Sequence, residues 1–77
     1  MNPLKLQPAN PLVCGVHTSD GVLVGNLKLI GGAWKFKAIG VDANGHVIPG
    51  GGPLTGQHNK VFAVLDEAAI SAALLAG

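Results

Sequence analysis

The chain has 77 residues, 48% of them apolar and 12% charged, with a formal net charge of +1. That length fits one domain with a small core, and a single cysteine leaves no intrachain disulfide to reinforce it. Five lysines, no arginine and a near-neutral balance weigh against a nucleic-acid binder, and no run approaches the roughly 20 apolar residues that span a bilayer.

Residues 1–10 (MNPLKLQPAN) read as an extended or flexible N-terminal arm, because Pro3, Pro8 and the following Pro11 remove N–H donors and bias their predecessors towards extended backbone. Residues 11–77 are expected to form a single small α+β domain. A first strand is expected over 12–18 (LVCGVHT), ended by the turn signal Asp20-Gly21.

The segment 22–41 organises the rest. Gly31-Gly32 can take positive φ at both positions, as a two-residue type I′ hairpin turn requires. The register then follows: Ile30 faces Ala33, Leu29 faces Trp34, Lys28 faces Lys35, Leu27 faces Phe36, Asn26 faces Lys37, Gly25 faces Ala38 and Val24 faces Ile39. Alternation puts Leu23, Leu27, Leu29, Trp34, Phe36 and Ala38 on one dry face. The other face collects Asn26, Lys28, Lys35 and Lys37 near the turn, with Val22, Val24, Ile39 and Val41 farther off. Trp34 is therefore expected in the core and the lysines outside it.

Asp42-Ala43-Asn44-Gly45 has the chemistry of a turn capped by its aspartate, leading into a short strand at 46–48 that Pro49 stops. The glycines 50–52 then open a loop to about Asn59. The run 61–65 (VFAVL) favours a strand, with a helical extension from an Asn59 cap as the alternative. Asp66 suits an N-cap, and a helix is expected over 68–76 with Glu67 at its positive end. After Glu67 the only polar side chain in that helix is Ser71. One face (Ile70, Ala73, Leu74) is expected on the Trp34/Phe36 side of the sheet, and the remainder invites a second copy or a partner. The fold expected is thus small α+β: an antiparallel meander of three to five strands with one C-terminal helix on one face.

Residue chemistry narrows function more by exclusion than by assignment. Cys14, His17, His46 and His58 are zinc-ligand types, but Cys14 and His17, three apart in a strand, point to opposite faces, and no Cys-x-x-Cys or His-x-x-x-His pair exists. Cys14 as a nucleophile with a histidine as its base, oriented by Asp20 or Asp42, would need an activated thiol and a pocket. Gly51 and Gly56 have the spacing of a phosphate loop, but Gln57-His58 stand where Lys and Ser/Thr are required. Nucleic-acid platforms need aromatic and basic groups on one exposed face, whereas alternation separates them here.

The expectation is therefore a non-enzymatic, cytoplasmic interaction or structural module without cofactor, binding a protein partner or itself as a homodimer. The candidate contact surfaces are the sheet face with Asn26, Lys28, Lys35 and Lys37, and the loop with Gly50, Gly51, Gly52, His58 and Asn59. Single-stranded nucleic-acid binding through Lys28, Lys35 and Lys37 is the first alternative. A zinc or thiol site at Cys14 and the histidines is the second.

Overall fold

A computed structural model describes residues 3–76. The described residues form six strands, one turn of 3-10 helix and one α-helix: β1 (Lys5–Asn10), β2 (Val13–His17), β3 (Leu23–Ile30), β4 (Ala33–Val41), β5 (Val47–Pro49), the 3-10 turn (Thr55–Gln57), β6 (Val61–Phe62) and α1 (Glu67–Ala76). The sheet is an antiparallel meander in the order β1-β2-β3-β4-β5, and β6 also pairs with β4. This is the small α+β fold expected, with the helix against one face.

The central hairpin sets the register. Gly31 and Gly32 have φ of 59° and 81°, and the pairs run from Ile30–Ala33 through Lys28–Lys35 to Gly25–Ala38. The two glycines carry the turn because positive φ at successive positions strains residues with a Cβ. The remaining turns use side chains. Asp42 Oδ1 accepts from the N–H groups of Asn44 (2.8 Å) and His46 (2.9 Å), and Asn10 Oδ1 accepts from that of Leu12 (2.8 Å). Such short carboxylate and amide acceptors fix a reversal without a partner strand.

The core lies between the sheet and α1. Cys14, Val16, Leu27, Phe36 and Ala38 from the strands meet Leu4, Leu54, Ile70 and Leu74, all buried. One expected facing is corrected. Val24 is 2% exposed and Leu23 is 37% exposed, the reverse of strict alternation. The pairs Val16–Gly25 and His17–Leu23 leave Val24 as an extra residue, a β-bulge that turns it into the core and Leu23 out.

Trp34 lies on the core face but is only half-buried, with Leu29 and Phe62 in the same condition beside it. The helix packs towards the β1 side, so this end of the dry face is incompletely covered. The buried helix residues are Ile70, Ser71 and Leu74, with Ala73 half-buried, so Ser71 takes part of the place expected for Ala73.

The N-terminal arm is part of the sheet. Lys5–Asn10 pairs antiparallel with β2, and Leu4 is 1% exposed in the core; Met1 and Asn2 lie outside the described residues. The run 61–65 is a strand only at Val61–Phe62, after which the chain bends towards the helix. Asp66 caps α1, its Oδ1 accepting from the Ala69 N–H at 3.1 Å.

Candidate functional site: the open face of the sheet

With α1 on one face, the other face of the sheet is bare, and cross-strand pairing arranges its side chains in rows. One row is Val13, Lys28, Lys35 and Val61, crossing β2, β3, β4 and β6. The next is Gly15, Asn26 and Lys37. Lys37 donates from Nζ to Asn59 Oδ1 at 2.7 Å, which adds Asn59 to that row and holds the ammonium group in place. Lys28 is exposed, while Lys35 and Lys37 are half-buried along their stems. Lys28 directly opposite Lys35 places like charges across a pair of strands, which costs a little stability.

The acids do not balance these lysines. All four Asp and Glu side chains are engaged elsewhere by hydrogen bonds. Asp20 accepts from the Thr18 hydroxyl, Asp42 caps the β4–β5 turn, Asp66 caps α1, and Glu67 accepts from the Leu6 N–H. Among the described residues the one contact between a basic side chain and a carboxylate within 4 Å is His46 Nδ1 with Asp42 Oδ2 at 3.5 Å, in an exposed turn. The open face therefore carries positive charge without an internal counter-charge.

The face continues towards β1. The His17 ring lies over Gly15, where a Cβ would meet its Cε1 at 3.0 Å, and His17 Nδ1 is buried with no hydrogen-bond partner. Beside it Gln7, Gly15, Leu23 and Asn26 line an open depression of about 250 Å³.

The glycine loop has a different position and a different task. It runs along the outer edge of β4 and completes the hydrogen bonding of that strand between β5 and β6. Gly50 donates to the Ala38 carbonyl (2.7 Å), Asn59 donates to the Phe36 carbonyl (2.7 Å), and the Phe36 N–H donates to the Lys60 carbonyl (2.8 Å). His58 Nδ1 accepts from the Ala38 N–H at 3.0 Å, so that nitrogen is unprotonated and the ring proton sits on Nε2. The loop backbone comes so close to β4 that a Cβ at Gly52 would fall on the Ile39 carbonyl. Of the residues read as contact candidates, Asn26, Lys28, Lys35, Lys37 and Asn59 thus come together. Gly50, Gly51, Gly52 and His58 are occupied by the edge of β4.

The thiol and the histidines do not converge. Cys14 is fully buried on the helix-covered face and His17 is on the open one. Burial pushes the Cys14 thiol above its ordinary pKa, and the negative charge of Glu67 adds to the rise. A protonated thiol is a poor nucleophile and a poor metal ligand. No cluster of three or more His, Cys, Asp or Glu side chains occurs among the described residues. Among the same residues no helix is long and apolar enough to cross a membrane.

Two features escaped the sequence reading. The Gly15–His17 depression depends on a ring folding over a glycine, which periodicity does not reveal. The link from Lys37 to Asn59 joins residues 22 apart and depends on how the loop returns. No protein-family model matches this chain, no curated protein matches its sequence, and no solved structure matches its fold.

Proposed function

We propose that this chain is a non-enzymatic interaction module that engages a protein partner through the open face of its sheet, centred on Asn26, Lys28, Lys35, Lys37 and Asn59. The supporting observation is the distribution of charge. Lys28, Lys35 and Lys37 share one solvent-facing patch, while each Asp and Glu side chain is held in a turn, a cap or an edge contact. A cytoplasmic setting goes with this reading, because the lone Cys14 takes part in no intrachain disulfide.

A partner of a different kind fits this face better than a second copy. Two identical open faces brought together would oppose lysines with lysines. Besides Glu67, the exposed residues of α1 are Ala68, Ala69, Ala72 and Ala76, small side chains that bury little area, and Leu75 is half-buried.

Position-specific photocrosslinking tests the proposal. A crosslinker at Asn26, which leaves all three lysines in place, is expected to capture a discrete partner, while one at Ala72 on the helix captures none. Adducts formed from Ala72 alone, or from neither position, would remove the open face as the contact surface. Light scattering adds the oligomeric state, with a monomer expected.

A further inference from the structure

We propose that the partner recognised by the open face is an acidic protein segment in which two or more carboxylates are flanked by aliphatic side chains. The proposal rests on the reading of that face as the contact surface. Neighbouring strands lie about 4.8 Å apart and residues two apart along a strand about 6.8 Å, so Lys28, Lys35 and Lys37 stand at the corners of a compact triangle. Lys37 is fixed by Asn59, whereas Lys28 is exposed and free to reach an anion. Carboxylates at this triangle would remove the mutual repulsion of Lys28 and Lys35 as well as adding attraction.

The flanks separate a protein from other polyanions. Val13 and Val61 close the two ends of the lysine row, with Val61 54% exposed. They offer aliphatic contact on either side of the charge, matching a segment that reads apolar, acidic, acidic, apolar. Single-stranded nucleic acid would look for stacking surfaces beside the cations. Trp34 and Phe36 lie on the opposite face from the lysines instead, and the chain has no arginine to fork onto phosphates. A free phosphate would occupy the triangle and leave both valines without a role.

The test uses a fluorescent peptide of Val-Glu-Glu-Val repeats, its Val-Gln-Gln-Val counterpart, an oligodeoxythymidine and inorganic phosphate. The acidic peptide is expected to bind at least about tenfold more tightly than the glutamine peptide at low salt, weakening as salt is added. The Lys28→Gln/Lys35→Gln variant, with an unchanged far-ultraviolet spectrum, is expected to lose that tenfold difference. Amide shifts on binding are expected at Asn26, Lys28, Lys35 and Val61. Equal binding of the two peptides, or tighter binding of the oligonucleotide or of phosphate than of the acidic peptide, would overturn the proposal. If crosslinks still form at Asn26 while the acidic peptide fails to bind, the partner class is wrong and the contact surface stands. If both fail, both readings fall.

Discussion

The outer sides of β1 and β4 are covered in opposite ways. A sheet edge presents outward N–H and C=O groups that invite pairing with another chain. At the β4 edge the cover is mostly backbone: β5 and β6 pair with the two ends of the strand, and the glycine loop supplies the bonds between them. One imidazole, His58, completes that ladder.

At the β1 edge the cover is side chains alone. Alternate residues of β1 turn outward, and each outward N–H is dealt with separately. The Leu4 N–H donates to Ser71 Oγ at 2.8 Å, the Leu6 N–H donates to Glu67 Oε2 at 3.0 Å, and Pro8 has no N–H to offer. The geometry works because Glu67 and Ser71 are one helical turn apart. Four residues of helix rise about 6 Å, close to the roughly 6.8 Å between alternate strand residues. The helix therefore runs antiparallel to β1 and matches it bond for bond. Backbone cover tolerates side-chain change and fails where the backbones can no longer approach. Side-chain cover fails one residue at a time.

Four substitutions separate the two designs, from the largest effect to the smallest. Gly52→Val should destabilise most, by about 3 kcal/mol or more, since a Cβ there strikes β4 and the residue has φ of 85°. Urea unfolding measures it, and amide exchange should accelerate at Phe36 and Ala38 while Leu6 is spared. Ser71→Ala should cost about 2 kcal/mol by leaving the buried Leu4 N–H without an acceptor. The loss should show at the β1 edge in exchange and leave Ala38 protected.

His58→Ala should cost about 1 kcal/mol at the opposite edge, because the Ala38 N–H loses its acceptor. His58→Asn places a carbonyl oxygen near the former Nδ1 and is expected to recover most of that loss; a variant as unstable as the alanine would show that ring packing, not the hydrogen bond, matters. Glu67→Gln should change stability by less than about 0.5 kcal/mol, since an amide oxygen still accepts from the exposed Leu6 N–H. Loss of Leu6 protection in that variant would mean that the charge itself holds the edge.

Much of the fold was legible because local chemistry and long-range pairing agree. Gly31-Gly32 dictated a turn, the turn dictated a register, and the register is the one observed from Ile30–Ala33 to Gly25–Ala38. The same alternation separated Trp34 from Lys28, Lys35 and Lys37, and so assembled the open face. The exchange of Leu23 and Val24 was hidden, because an apolar run of Val22, Leu23 and Val24 reads equally well in either facing and the bulge is set by β2. Strand β1 was obscured by its prolines, although Pro8 sits where an edge strand tolerates one. The role of Asn59 was placed in the right loop, but its joining to Lys37 needed the path of that loop. The polar pair Glu67 and Ser71 stood out in an apolar helix, yet its purpose required knowing which strand lay beside it.

Ser71 and Glu67 lie 67 and 61 residues after the amides they accept from. During synthesis β1 therefore leaves the ribosome long before the groups that close its edge exist. Until α1 emerges and docks, the nascent sheet carries outward donors at Leu4 and Leu6, and the docking of α1 converts it from an adhesive intermediate into a closed one. A nascent chain halted before Glu67 would be the form most in need of a chaperone.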